Sequence, residues 1–198
     1  MTNSQTAALL VAKTVDTPRI YLACLAAYNE TGMSSVRGTD DQPNGRVHGA
    51  WVDADKGTDH AWDELRKMLR ASPEPGAEEW AIHDYNGFES ALFPEYASFE
   101  KVCELAEFIA EHGELGAQVY SIFSEELSQA KNAFDDYAGE FTNVAEFAEQ
   151  FHEDIGTHIP EPIKFYIDWV SLGRDLELNG DIFTVQLSLE ETHVFWAR

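Results

Sequence analysis

Residues 98–113 read SFEKVCELAEFIAEHG. They are the part of the chain whose pattern predicts a helix most clearly. Apolar residues recur there at the three- and four-residue spacing of an α-helix, so they share one face. Ser98 is a residue type that caps the start of a helix, and Gly113 is one that ends it. We therefore predict an amphipathic helix with its apolar face against a core. The residues on that face are Val102, Leu105, Ala106 and Ile109.

The sequence before this helix predicts a small sheet with one helix. Short segments rich in β-branched and aromatic residues are typical of strands. Between the second and the third of these segments, Thr58 or Asp59 can cap a helix. The apolar face of that helix carries Trp62, Leu65 and Leu69. The three predicted strands are residues 19–28, 47–53 and 79–85.

The sequence after the central helix predicts three more helices and a hairpin. Ser124 can cap a helix over residues 125–134, and Asn143 can begin another. Pro160 opens a third, which ends near Gly173. Helices combined with strands that follow one another along the chain predict the α+β fold class. The two alternating segments of the hairpin are residues 181–187 and 192–196.

Acidic residues are distributed unevenly along this chain of 198 residues, whose formal net charge is -23. Residues 1–73 carry a net charge of -1 and residues 162–198 carry -3, whereas residues 74–161 carry -19. Lys101 and Lys131 are the only Lys or Arg residues of that middle segment. Such a surface repels a phosphate backbone, which excludes ordinary nucleic-acid binding, and it attracts cations or basic protein surfaces.

The glutamates of the central helix form a row on the face opposite to its apolar residues. Their steps of four, three and four place neighbours one helical turn apart, about 5–6 Å. Further acids follow, mostly in pairs, on and between the later predicted helices. Because only two lysines compensate for them, we predict that the whole set presents charge to a protein partner. The predicted partner-binding carboxylates are Glu100, Glu104, Glu107, Glu111, Glu125, Glu126, Asp135, Asp136, Glu146, Glu149, Glu153 and Asp154.

Motifs of known chemistry are absent or incomplete in the sequence. Residues 53–64 resemble a calcium-binding EF-hand loop, but Gly57 and Thr58 stand where a ligand and the required glycine belong. The seven histidines show no zinc-binding spacing, and no nucleophile motif occurs. We therefore predict no catalytic residue, no metal site and no cofactor. An acidic calcium- or cation-binding structural protein is the alternative, and a hydrolase with a carboxylate pair is a third hypothesis.

The remaining features concern the compartment. Cys24 and Cys103 lie in apolar segments, which predicts two buried, reduced thiols and no disulfide. No apolar run reaches the length of a membrane span. Residues 1–17 lack the basic start of a secretory signal and indicate a flexible tail. Together these features predict a cytoplasmic protein without a membrane contact.

Short motifs of characteristic order and spacing run through the chain from Arg19 to Arg198. The first are Ile20–Asn29, Gly49–Trp51, Ala81–Phe88, Phe108–Gly113 and Asp136–Glu140. The C-terminal ones are Pro162–Asp168, Gly173–Leu176, Gly180–Thr184 and His193–Trp196. In these motifs the chain resembles the ArdA-type antirestriction protein family.

The resemblance implies a non-enzymatic function and a partner. Proteins of this family are carried by mobile elements and are acidic, elongated dimers that mimic bent B-form DNA. They occupy the DNA-binding groove of Type I restriction–modification enzymes, so that an incoming element escapes cleavage. We also expect a homodimer here because residues 162–198 combine a low net charge with many large apolar side chains.

The resemblance further implies an elongated chain of three small domains. After the tail of residues 1–17, these are a sheet-plus-helix domain over residues 18–93, a helical acidic domain over 94–133 and a dimerising α/β domain over 134–198. The loop from Glu30 to Arg46 departs from the family because it is longer than expected and carries two arginines, which are poor mimics of phosphate.

Overall fold

The computed structural model describes residues 16–28 and 48–197, which form antiparallel sheets and helices of an α+β fold. The chain divides into two compact units. The N-terminal unit comprises Met1–Phe88 and Pro94–Ala110, and the C-terminal unit comprises Glu89–Phe93 and Glu111–Arg198. The boundaries of three separate domains stay a prediction. Most of the tail and the loop Glu30–Arg46 lie outside the described residues.

The N-terminal unit is built around a three-stranded antiparallel sheet. Its strands are β1 (Arg19–Cys24), β2 (Gly49–Asp53) and β3 (Trp80–Asn86), in the order β2-β1-β3. The central strand β1 is the most apolar, and its Ile20 and Leu22 are completely buried. The strand predicted to reach residue 28 ends earlier, because Leu-Ala-Ala-Tyr at 25–28 consists largely of good helix formers and is helical.

Helix α1 (Thr58–Arg70) packs on this sheet through Ala61, Leu65 and Met68. The prediction that Thr58 or Asp59 caps this helix is wrong, since both lie inside it. Gly57 occupies the cap position instead, with φ at 86° and without a side-chain hydrogen bond. Only glycine adopts that backbone conformation without strain, so the start of α1 is set by backbone geometry.

Helix α2 (Phe99–Ile122) is interrupted at Gly113, where the backbone leaves the helical region at φ 58° and ψ -143°. The break predicted at this glycine is therefore present, and a second helical stretch follows it. The Phe99 ring lies 4.8 Å from the ring centre of Trp62 and 4.6 Å from that of Trp80. These aromatic contacts fix the start of α2 on the core of the N-terminal unit.

The C-terminal unit contains a second antiparallel sheet with helices. Its sheet has the strand order β4-β6-β5, and the β5–β6 pair confirms the predicted hairpin. The sequence did not predict β4, which pairs with the opposite edge of β6. The elements in chain order are α3 (Leu127–Asp135), β4 (Tyr137–Phe141), α4 (Val144–Asp154), α5 (Glu161–Lys164), α6 (Trp169–Leu178), β5 (Ile182–Ser188) and β6 (Glu191–Trp196).

Two predicted helices of this unit have different bounds. Ser124 does not cap α3, because Ser124 and Glu125 adopt positive φ angles of 55° and 65° and the helix begins only at Leu127. The helix expected from Pro160 to Gly173 is two helices, α5 and α6. Asp168 ends the intervening turn by accepting a hydrogen bond from the Ser171 amide at 3.0 Å, which makes it the cap of α6.

The core of the C-terminal unit lies between its sheet and α4. Phe147 of α4 packs there with Ile182 of β5 and Val194 of β6. Helix α6 contacts α4 closely at Gly173, where an added Cβ would lie 2.8 Å from the Val144 carbonyl oxygen. Gly173 is therefore required by close packing. Among the described residues, no helix combines the length and the apolar character needed to cross a membrane.

Candidate acidic binding surface

The row of glutamates on α2 is exposed as predicted from its spacing. Glu100, Glu104 and Glu107 are exposed, whereas every residue between Glu100 and Glu107 other than these acids and Lys101 is apolar and buried. The buried side chains hold the helix against the core, so the glutamates are turned away from it. The buried residues are Val102, Cys103, Leu105, Ala106, Phe108 and Ile109.

The acids of this row carry negative charge. Within the part of the chain that the structure describes, neither Glu100, Glu104 nor Glu107 forms an ion pair. Glu111 belongs to the C-terminal unit, and 75% of its side chain is exposed. His112 lies 3.8 Å from it, but burial lowers the pKa of that imidazole, so it adds no compensating charge near neutral pH.

The acids around α3 differ in their surroundings. Glu125 and Glu126 are both exposed and lie in the turn that precedes the helix. Glu125 is held in a left-handed backbone conformation, which few residues other than glycine adopt. Asp135 is exposed at the end of α3, whereas Asp136 is half-buried and its carbonyl accepts a hydrogen bond from Trp196. Asp136 therefore contributes to the structure of the unit.

Glu146 stabilises the start of α4. Its carboxylate accepts hydrogen bonds from the Thr142 amide at 2.6 Å and the Thr142 hydroxyl at 2.5 Å. The Asn143 side chain accepts in turn from the Ala145 and Glu146 amides at 3.0 and 3.1 Å, which confirms the predicted start of this helix. The hydrogen bonds from Thr142 hold the pKa of Glu146 below its ordinary value, so the carboxylate is charged.

The acids at the end of α4 are partly neutralised by one lysine. Lys164 of α5 lies 3.4 Å from a Glu149 carboxylate oxygen and also pairs with Glu153. The hydrogen bonds that Lys164 donates to these two carboxylates raise the pKa of its ammonium group. Asp154 is exposed next to them. This arrangement could not be predicted from the sequence, because a turn region separates Lys164 from Glu153 along the chain.

The segment that resembles an EF-hand loop has a different geometry. Asp53 ends β2 and its two carboxylate oxygens pair with Arg19, at 3.0 Å, and with Lys56. The hydrogen bond from Lys56 holds the pKa of Asp53 low. A short 3-10 turn, Ala54–Lys56, then leads to α1. The first expected calcium ligand is therefore engaged by two basic side chains.

The C-terminal sheet carries a group of polar residues that the sequence did not predict. Glu140 of β4 is the register partner of His193 of β6, and Glu191 lies two residues before His193. Their carboxylate oxygens and imidazole nitrogen lie within 4.8 Å of one another. More than fifty residues separate Glu140 from the other two in sequence, so only the pairing of the strands brings them together.

The chain matches the model of a known protein family. The model of the family described as antirestriction protein (ArdA) matches residues 41–191, which is well over half of the chain. No curated protein matches the chain. The family match includes α2, with its exposed row of glutamates, and most of the C-terminal sheet. This chain belongs to the ArdA family of antirestriction proteins.

Proposed function

We propose that this protein inhibits a Type I restriction–modification enzyme by acting as a mimic of DNA. Its family is defined by antirestriction, and the members are inhibitors that interact with restriction enzymes. In the proposed mechanism, exposed carboxylates occupy the positions that DNA phosphates take in the binding groove. Lys and Arg side chains of the groove then pair with the inhibitor, and DNA is displaced because both cannot fill one groove.

The observation that carries this proposal is the row of exposed glutamates on α2. Buried apolar residues fix the helix, so the glutamates at positions 100, 104 and 107 project from a rigid support. A preorganised set of charges loses little conformational freedom on binding, which favours affinity. Phosphates recur about every 3.4 Å along one DNA strand, whereas these glutamates are about 5–6 Å apart. Carboxylates outside α2 are therefore needed to approach the charge density of a duplex.

The structure divides the twelve predicted carboxylates by their surroundings. Four of them are engaged within the chain or half-buried, namely Asp136, Glu146, Glu149 and Glu153. The remaining eight are exposed and are not paired with a Lys or Arg of the described residues, and we assign them the main part of the interaction. They are Glu100, Glu104, Glu107, Glu111, Glu125, Glu126, Asp135 and Asp154.

A symmetric homodimer is part of the proposal. The Phe165 and Tyr166 side chains, directly after α5, are 92% and 85% exposed, and Val170 at the start of α6 is 71% exposed. Three large apolar groups so close in sequence are typical of an interaction surface. A second copy of the chain fits this surface, because residues 162–198 carry a net charge of only -3 and repel one another little. Other large apolar groups of this segment, such as Phe195, fill the core of their own unit.

Competition between the protein and DNA tests the mechanism. A Type I restriction enzyme is mixed with labelled DNA that contains its recognition sequence, and the protein is added in increasing amounts. We expect DNA to be released and cleavage to stop at the same protein concentrations. A ternary complex, in which DNA stays bound while cleavage is inhibited, would contradict mimicry and would indicate inhibition at a separate site.

A further inference from the structure

The group formed by Glu140, Glu191 and His193 lies on one face of the C-terminal sheet. His193 is directly opposite Glu140 in the pairing of β4 with β6, and residues paired in this way have side chains on the same face. Glu191 is two residues before His193 on the same strand and so also faces that side. Three potential metal ligands therefore converge from two neighbouring strands.

The imidazole of this group is buried and oriented. His193 is 5% exposed, and its Nδ1 lies 2.7 Å from the Tyr137 hydroxyl oxygen. With its proton on Nδ1, the ring donates this hydrogen bond to the hydroxyl and directs the lone pair of Nε2 towards Glu191, whose nearest oxygen is 3.4 Å away. Histidine ligands of metals are commonly held in this manner by a hydrogen bond from the second ring nitrogen.

Neither Glu140 nor Glu191 forms an ion pair with a Lys or Arg among the described residues. The ion pair of Glu191 with His193 exists only if the imidazole is protonated. The two adjacent carboxylates bring a local charge of -2, which a divalent cation would neutralise.

We propose that Glu140, Glu191 and His193 bind one zinc ion, with one carboxylate oxygen from each glutamate and Nε2 of the histidine. This inference is independent of the proposed function, since none of the three belongs to the acids assigned to the partner. In a tetrahedral site with bonds of about 2.0–2.1 Å, neighbouring ligand atoms are roughly 3.3 Å apart. The Glu191 oxygen and His193 Nε2 are already close to that separation, and a carboxylate oxygen of the exposed Glu140 lies within 4.8 Å of both.

The ligand set favours zinc over the hard cations. Calcium requires six to eight oxygen ligands and magnesium prefers an octahedron of oxygens, whereas imidazole nitrogen together with carboxylates suits zinc. Water completes the fourth position. The ion would join β4 to β6, and its physical effect would be to stabilise the pairing of the edge strand that is otherwise short and partly exposed.

Calorimetric titration of the full chain with zinc chloride, after treatment with a chelator, tests this site. We expect one site per chain with a dissociation constant in the micromolar range or below, above a background of weak binding to scattered carboxylates. Glu140→Gln should weaken zinc binding at least tenfold. It should leave the fold unchanged, because the Glu140 side chain is exposed. Glu190→Gln, an exposed neighbour outside the group, and His158→Ala, an exposed histidine, are the matched controls and should bind zinc like the wild type.

Thermal melting supplies a second measurement. Zinc should raise the melting temperature of the wild type and of both control variants, because an ion that binds the folded state stabilises that state. The melting temperature of Glu140→Gln should rise much less. The assignment is wrong if stoichiometric zinc binding is absent or if Glu140→Gln binds zinc as tightly as Glu190→Gln does. Saturation of the same site by calcium or magnesium at lower concentrations than zinc would also overturn it.

Discussion

Replacement of the four glutamates of the α2 row by glutamine should affect stability and inhibition in opposite directions. The row contains three neighbouring pairs of like charge, at spacings of four, three and four residues. Each such pair destabilises a helix by about 0.2–0.5 kcal/mol. The helix dipole favours Glu100 in the first turn and disfavours Glu111 near the break at Gly113, by about 0.3–1 kcal/mol each, so these two effects largely cancel. The variant should therefore be more stable by roughly 1 kcal/mol, or about 2–4 °C in melting temperature.

The same replacement should weaken inhibition. An exposed carboxylate that pairs with one basic side chain contributes less than about 1 kcal/mol. The loss of four should cost about 2–3 kcal/mol of binding free energy, which corresponds to roughly 30- to 150-fold in affinity. Glu104→Gln alone should reduce affinity by less than about fivefold, because the charge is distributed over many residues.

The assay is titration of a Type I restriction enzyme with each variant, read by displacement of fluorescent DNA. The matched control removes four acids from the nearly neutral N-terminal segment and changes the net charge equally. A quadruple α2 variant that melts as expected yet inhibits like the wild type would refute the role of this row. If the control variant lost as much inhibition as the α2 variant, inhibition would depend on the net charge of the protein and not on the position of the acids. The control substitutions are Asp55→Asn, Asp59→Asn, Asp63→Asn and Glu64→Gln.

The other predictions concern α4, salt and the dimer. Asn143→Ala removes the acceptor of two backbone amides and should lower the free energy of unfolding by about 1 kcal/mol in denaturant titrations, whereas an unchanged value would contradict the capping role. Because Thr142 holds the pKa of Glu146 low, the stabilisation by this carboxylate is present above its ordinary pKa of 4.5 and is lost as the pH falls through the lower value of the folded state. Glu146→Gln should therefore reduce stability at pH 7 and flatten its decline in acid, as measured by melting at a series of pH values, and an equally steep decline would argue against it. Affinity for the restriction enzyme should fall as ionic strength rises, and a flat response across a salt series would favour an apolar interface. Phe165→Asp should convert a dimer into a monomer in light scattering, and a wild type that is monomeric at micromolar concentrations would disprove the proposed association.

Features that depend on local periodicity could be predicted from the sequence. The exposed row on α2 follows from the alternation of acidic and apolar residues between Ser98 and Gly113, and the start of α4 follows from Asn143. In both cases the deciding contacts are within one or two helical turns. The α+β fold class and the C-terminal hairpin were predictable as well, since both strands of the hairpin are short segments rich in β-branched and aromatic residues and follow one another closely in the sequence.

Features that depend on distant residues could not be predicted. Strand β4 reads Tyr-Ala-Gly-Glu-Phe, which has no clear alternation, and its conformation is set by pairing with β6. The turn at Ser124 and Glu125 escaped prediction because Ser is a frequent cap, while the backbone there adopts positive φ angles. The convergence of Glu140 with His193 requires the strand register, which no local pattern contains.

Lys164 neutralises Glu149 and Glu153 as a dissolved cation would, but it remains part of the same chain. Sodium ions around an exposed acid gain translational entropy when a basic partner displaces them, and such release is a source of affinity between charged macromolecules. If a partner displaces Lys164 from these acids, the lysine remains attached to the backbone and gains only the conformational entropy of its side chain. Any partner that approaches the end of α4 must therefore separate an existing pair without the entropy of ion release. These two acids should strengthen the complex less, and respond less to added salt, than an equal number of acids on α2.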